Sequence, residues 1–572
     1  METTAIESCN ILTSLLVKNG IVDVVISPGS RNAPLIIAIA RNKELNKHII
    51  VDERSAAFTA LGICAAKHGK NPVVLICTSG SALLNYAPAI AEAYYRNLPL
   101  IVISADRPIE WIDQDDSQTI RQYEALSNYV KRSYDIPTNC YSENIQWYIN
   151  RIINDAIITS NSDNKGPVHI NVQLDEPLND IIDIKEHKVQ RYISAPLINR
   201  EITHSFFDAE IYNSLKEKNI LIIAGFQNCT DENWVTKKLN NKINPFETFI
   251  TNHNNVVLLT ESISNINCKF SFGNIDRLVS NMTENDKIML RPDIVISFGG
   301  ALVSRFIKQY LREIKPKEHW HIGLTNNTID CFKCLTMRIN MFPFDFFNQI
   351  NNSNNQIIDN NNSYREKWIN LSIRAESAHN TYINNCPWSD LKAFSIILPH
   401  LKGNLHLSNG TPIRYQQLFN QNNNITSVYC NRGVSGIDGC TSTAIGHAIS
   451  SSEITTLISG DLSAQYDIGA LSIENIPSTF KMIVICNGGG GIFRFIKSTS
   501  CLPELDKYFA TKAKLPLKEL ALGYGFKYFQ ASSEIELEKN LLQFLNEKKS
   551  PSILAIITPE KTSAEILKKY FN

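Results

Sequence analysis

The chain has 572 residues, 43% hydrophobic and 20% charged, the composition of a folded protein of several domains. Lys plus Arg and Asp plus Glu both number 56, so the formal net charge is zero. That balance excludes recognition of a bulk polyanion such as nucleic acid, and leaves any acidic ligand to individually placed arginines. No apolar run approaches the roughly 18 residues of a membrane helix, and the polar N-terminal stretch lacks a cationic region. A soluble cytoplasmic protein with neither nucleic-acid nor membrane partner is expected. The 13 cysteines are read as scattered single thiols, with Cys64 and Cys77 buried, as suits a reducing cytosol.

In chain order, apolar runs at 21-IVDVVI-26, 73-VVLIC-77, 100-LIVISA-105 and 168-VHINV-172 predict strands with helical patterns between them. This is a first domain over 1–185. A second over 200–350 has strands at 219-NILIIAG-225 and 293-DIVISFGG-300. The Asn-rich tract 351-NNSNNQIIDNNNS-363 opens a linker over 351–384. A third domain over 385–572 has strands at 404-NLHLSN-409, 427-SVYCN-431, 455-TTLISG-460, 482-MIVICN-487 and 552-SILAII-557. Alternation of strand and helix predicts α/β architecture, three doubly wound domains in series with mostly parallel sheets. Ligands of such sheets bind beyond the C-terminal ends of strands. The turns that follow strands therefore hold the candidates, beginning with 27-SPGSRNAP-34, which resembles a nucleotide turn but carries Arg31 where a P-loop has none.

The richest segment is 460-GDLSAQYDIGALSIENIPSTFKMIVICNGGGGIF-493. Asp461 follows one strand and Asn487 the next, 26 positions on. One carboxylate, one amide oxygen and a backbone carbonyl form an oxygen-only site suited to Mg²⁺, with glycines that let backbone approach a diphosphate. Gly-Asp followed by Asn one βαβ unit later resembles the diphosphate–metal motif of thiamin-diphosphate enzymes. The resemblance implies thiamin diphosphate with Mg²⁺ (or Mn²⁺) as cofactors, Asp461, Asn487 and the Gly489 carbonyl as metal ligands, and Gly460 in the cofactor site. The family's usual Asn-Asn is Cys486-Asn487 here.

Those enzymes use a glutamate in the first domain to hydrogen-bond the cofactor's pyrimidine. The matching segment is 49-IIVDERSAAFTALGICAAKHG-69, with Glu53 as the catalytic residue, followed by the similar 78-TSGSALLNYAPAIAEAYYRNLPLIVISADRP-108. Within the superfamily, 27-SPGSRNAPL-35, 52-DERSAAF-58, 104-SADRP-108, 117-SQTIRQ-122, 430-CNRGVSGIDG-439 and 460-GDLSAQYD-467 together resemble the carboligases of menaquinone biosynthesis. This implies that 2-oxoglutarate loses CO₂ and its succinyl unit adds 1,4 to isochorismate. Both substrates are dicarboxylates, which calls for arginines. By the resemblance Ser30, Arg31, Arg107 and Gln118 serve isochorismate, Arg305 reaches in from the middle domain, and Arg414 and Arg432 serve 2-oxoglutarate. Arg432, Gly433, Ser435 and Ile437 would touch the cofactor, Ile437 as the wedge between its rings. Two departures stand out: Gly410, where the family often has Ser, and Arg494, to which the resemblance assigns no role. The family's sites form across a subunit interface, which implies a homodimer or dimer of dimers. The alternative is another thiamin-diphosphate-dependent 2-oxo acid carboligase or decarboxylase.

Overall fold

The computed structural model describes residues 2–138, 140–183, 190–195, 215, 218–227, 245–266, 268–325, 327–352 and 363–571. Its first third holds β1 (Glu2–Thr4), β2 (Asp23–Ile26), β3 (Asn46–Ile49), β4 (Val73–Cys77), β5 (Leu100–Asp106), β6 (Ser133–Ile136), β7 (Val168–Gln173) and β8 (Ile181–Asp183). β2 to β7 make a parallel sheet in the order β3-β2-β4-β5-β7-β6. β1 and β8 pair antiparallel beside it. β4 and β5 are buried at every position, as in sheets covered on both faces. Val24, Ile76, Ile103 and Ile170 of the sheet pack with Leu12, Leu16, Ile39 and Ile149 of the helices.

A second sheet contains β9 (Ile220–Ala224), β10 (Val256–Thr260), β11 (Ser271–Phe272), β12 (Ile294–Phe298), β13 (Glu318–Ile322) and β14 (Met337–Ile339), all parallel, ordered β11-β10-β9-β12-β13-β14. The third contains β15 (Gly403–Leu407), β16 (Ile425–Cys430), β17 (Thr455–Gly460), β18 (Phe480–Cys486), β19 (Lys527–Ala531) and β20 (Ser552–Ile557), ordered β16-β15-β17-β18-β20-β19. Three α/β sheets in series are the architecture that the alternating pattern predicts.

The expected linker over 351–384 needs correction. Residues 353–362 lie outside the described residues. Tyr364–Asn384 is a helix of 21 residues. Its Tyr364, Trp368, Leu371 and Ala375 fall on one face and join the core beside the second sheet. Asn, Ser and charged residues on the other faces masked that stripe. The cysteines also need one. Cys331 and Cys334 form a C-x-x-C pair, not isolated thiols. Burial raises both thiols, Cys334 to about 11, which disfavours a reactive thiolate. Cys64 and Cys77 are buried as expected. Among the described residues no helix is long and apolar enough to cross a membrane.

By internal packing the chain divides into two units that cut across the three sheets. One comprises Met1–Asn199, Asn431–Thr455 and Tyr466–Phe480; the other comprises Arg200–Cys430, Thr456–Gln465 and Lys481–Asn572. In the first unit the helix Glu53–Ala66 crosses the helix Cys440–Ser450 at two glycines. A Cβ on Gly62 would lie 2.0 Å from the Thr443 carbonyl oxygen, and one on Gly446 would lie 2.1 Å from that of Thr59. Any side chain at either position would force the helices apart.

Candidate active site

The winding of the first sheet reverses between β2 and β4, the point where doubly wound sheets bind ligands. The turn after β2 is closed by the fully buried Asn32, which accepts from the Gly29 N–H and donates to the Ser27 carbonyl, both at 2.9 Å. Ser30 is left exposed. The Arg31 guanidinium donates to the Leu174 carbonyl at 3.2 Å and pairs with Glu176 at 3.4 Å. Arg107, just beyond β5, pairs with Asp116. Burial, and after it the positive charge of Arg107, holds Arg31 below its ordinary value. Two guanidiniums that repel one another mark a place suited to an anion. Glu176 is 66% exposed, so its pair with Arg31 is weak enough to yield to a ligand carboxylate.

Gln118 is exposed, with a positive φ of 56°. Its loop is anchored by Gln122, which sequence reasoning missed. Buried Gln122 accepts from the Gly80 N–H at 2.6 Å and donates to the Ala105 carbonyl at 3.0 Å and to Asn171 Oδ1 at 3.1 Å. It thereby ties together the turns after β4 and β5. Glu53 opens its helix behind the N-cap Asp52, which accepts from the Ser55 N–H at 3.2 Å. Half-buried Glu53 accepts a hydrogen bond from Asn85 Nδ2 at 3.2 Å.

The first unit also holds the loop with Arg432, Gly433, Ser435 and Ile437. Fully buried Glu92, on the helix Ala87–Arg96, accepts from the Gly433 N–H at 2.8 Å and the Val434 N–H at 2.7 Å. Burial raises its carboxyl, while Arg96 and these two bonds oppose the rise. Ser435 is held at a φ of 63°, a strained position for a side-chain-bearing residue and one common at functional sites. Beyond the loop, buried Asp467 accepts from the Ser442 N–H at 2.7 Å and Oγ at 2.8 Å. Glu92 thus holds the loop itself, and Asp467 the first turn of the helix that follows it. The sequence offered no signal for Glu92, which lies 341 positions from its partner.

In the second unit the third sheet reverses its winding between β15 and β17, and both flanking turns were singled out. Asp461 is nearly buried and accepts from the Leu462 N–H at 2.8 Å and the Gly488 N–H at 3.0 Å. Burial raises its carboxyl to about 6 despite those bonds. Asn487, also buried, donates its amide nitrogen to Asp390 at 2.8 Å, which leaves its oxygen for a cation. Gly488, Gly489 and Gly490 all take positive φ. A Cβ on Gly489 would lie 2.4 Å from the Thr511 carbonyl oxygen. Only glycine permits this tract. A Cβ on Gly460 would meet nothing within 4 Å, so open space lies beside it. Among the described residues no cluster of three or more His, Cys, Asp or Glu could hold a metal. One carboxylate with an amide and a carbonyl oxygen is the hard, partly open donor set of a cation shared with phosphates.

The departures acquire physical reasons. Gly410 has a φ of 103°, a conformation that a serine adopts only with strain, and its carbonyl accepts from Arg414 at 2.8 Å. Arg494 is structural: it pairs with Asp506 at 2.6 Å and with Glu560, and so fixes the segment after the glycines. Phe493 packs against Phe509, ring centroids 5.8 Å apart. Burial and the nearby Asp461 push the Cys486 thiol up to about 12. Arg305 is exposed just before the helix Phe306–Ile314 of the second sheet.

Residues 8–125 match the family described as thiamine pyrophosphate enzyme, N-terminal TPP binding domain, and residues 251–388 match the middle domain of thiamine pyrophosphate. The fold is thus that of a thiamin-diphosphate enzyme. The chain is 38% identical to a 2-succinyl-5-enolpyruvyl-6-hydroxy-3-cyclohexene-1-carboxylate synthase of Porphyromonas gingivalis, over 98% of this chain and 96% of that protein. It is 40% identical to a synthase of the same name from Flavobacterium psychrophilum (99% and 97% covered), and 34% identical to one from Bacteroides thetaiotaomicron (98% and 97%). The chain belongs to this family of synthases.

Proposed function

We propose that the chain catalyses the thiamin-diphosphate-dependent decarboxylation of 2-oxoglutarate and the 1,4-addition of its succinyl unit to isochorismate. The products are CO₂ and 2-succinyl-5-enolpyruvyl-6-hydroxy-3-cyclohexene-1-carboxylate, a step of menaquinone biosynthesis. The observation that carries this reading is that Arg31, in the turn after β2, and Arg107, just beyond β5, stand near enough to repel one another, each beside a partly exposed acidic partner. An enzyme that only decarboxylated a simple 2-oxo acid would need no such pair, whereas a dicarboxylate acceptor does.

When bound, the cofactor supplies the acidic carbon that adds to the keto group and the electron sink that lets CO₂ leave. Glu53 would hold the pyrimidine ring through a hydrogen bond at N1′ and so set its protonation state. Asp461, Asn487 and the Gly489 carbonyl would hold Mg²⁺ (or Mn²⁺) against the diphosphate, with Gly460 beside it. Ile437 would stand against the cofactor's rings, backed by Gly433 and Ser435. Ser30, Arg31, Arg107 and Gln118 would orient isochorismate. Arg414 and Arg432 would grip 2-oxoglutarate, and Arg305 would add a charge from the second sheet. A cytoplasmic homodimer, singly or paired, is the working assembly of this reading. The test is a spectrophotometric assay of isochorismate loss with each component omitted in turn. Loss that needs 2-oxoglutarate, thiamin diphosphate and Mg²⁺ together supports the reading; CO₂ release from 2-oxoglutarate at an undiminished rate without isochorismate contradicts it.

A further inference from the structure

We infer that Asp390 is a positioning residue that dictates which atom of Asn487 faces the metal; this rests on the metal reading above. Asp390 opens the helix Asp390–Ile397 and is only 1% exposed. One carboxylate oxygen accepts from Thr558 Oγ1 at 2.5 Å and the other from Asn487 Nδ2 at 2.8 Å. Its backbone N–H donates to Ser563 Oγ at 3.1 Å, which fixes the start of the helix. The carboxylate is therefore held from two elements before Asn487 meets it.

The Thr558 hydroxyl donates to one carboxylate oxygen, and the other faces Asn487 as an acceptor. The end of the Asn487 amide that turns to Asp390 must then be its NH₂. The oxygen is left for the cation. With an apolar side chain at 390 nothing on that side would bias the amide before the cation binds, and the amide would have to be turned to present its oxygen. Asp390 supplies that bias. It also gives the buried NH₂ an acceptor, without which that polar group would be left unsatisfied. Outer partners of this kind typically cost 10–100-fold in metal affinity when removed. No motif marks Asp390, which lies 97 positions before Asn487 and reads as an ordinary helix-start acid.

The test is calorimetric titration of thiamin diphosphate in the presence of Mg²⁺ into the full chain, as wild type, Asp390→Ala, Asn487→Ala and the double variant. Each single change should weaken binding about 10–100-fold. The double should bind no worse than the weaker single, because Asp390 acts through Asn487. Wild-type affinity in Asp390→Ala, or additive losses, would overturn the inference. Wild-type affinity in Asn487→Ala would instead overturn the metal reading, which keeps the two failures distinct. Should Asp390→Ala fail to fold, an exchanged pair decides. Asn487→Asp alone sets two carboxylates against each other, and adding Asp390→Asn should restore binding by about 10-fold or more. No gain from the exchange contradicts the inference.

Discussion

The first and third sheets wind identically but end in opposite charge. Within each, the strands lie in the order second, first, third, fourth, sixth, fifth. Each therefore has its switch point between the first and third strands, and in each the candidate residues and their chemistry lie from there to the end of the fourth strand. At the first sheet that chemistry is cationic, Arg31 and Arg107, with the neutral Gln122 tying the turns. At the third it is anionic, Asp461 backed by Asp390, with Asn487 between. The winding decides where a ligand can sit. A few turn residues decide whether that place suits a carboxylate or a cation–diphosphate. The Rossmann-ordered second sheet gives a third case: buried Glu261 accepts from the Val303 and Ser304 N–H groups at 2.8 and 2.7 Å, so its own carboxylate fills that loop's donors.

The comparison breaks most readily at Glu53, the proposed catalytic carboxylate. Glu53→Gln should lower kcat about 10²–10⁴-fold, the usual range for a lost acid–base group, with cofactor affinity nearly unchanged by calorimetry. Full turnover would show that the first sheet's contribution is substrate binding alone. Next in size, Arg31→Ala removes a charge-assisted contact of about 1.5–3 kcal/mol. The KM for isochorismate should rise about 10–100-fold while that for 2-oxoglutarate stays put; the reverse pattern would exchange the roles of the two ends. Smaller still is Glu92→Gln. It weakens the two bonds that hold Gly433 and Val434, and should lower the melting temperature by the equivalent of about 1–3 kcal/mol. Steady-state kinetics should show the KM for 2-oxoglutarate rising more than that for isochorismate, because the loop carries Arg432. An unchanged melting temperature would mean that the loop does not depend on Glu92.

The same contrast explains what could be read from sequence. Central strands such as Val73–Cys77, and Phe480–Cys486 but for Lys481, are apolar because both faces are covered, and they stand out. Exposed edge strands do not, whereas the buried edge strand Ile425–Cys430 does; in the second sheet the central Val256–Thr260 and Glu318–Ile322 were missed. Asn46–Ile49, Ser133–Ile136 and Lys527–Ala531 border solvent, alternate or expose their side chains, and went unrecognised. In the candidate sites, Glu53, Asp461, Asn487, Arg31 and Arg107 sit at or just after strand ends in recognisable patterns, so they could be named as candidates from sequence. Glu92, Gln122, Asp390 and Asp467 act through partners distant in sequence, from helices or loops of unremarkable composition. Only their tertiary contacts reveal them.

The opposed charges of the two switch points are tested together by titrating thiamin diphosphate, with and without Mg²⁺, into Asp461→Ala and Arg31→Ala. Asp461→Ala should lose Mg²⁺-dependent binding by more than about 100-fold, beyond what an outer partner costs, while Arg31→Ala binds as wild type does. Retained Mg²⁺-dependent binding in Asp461→Ala, or its loss in Arg31→Ala, would contradict the assignment of cation–diphosphate to the third sheet and acceptor carboxylate to the first.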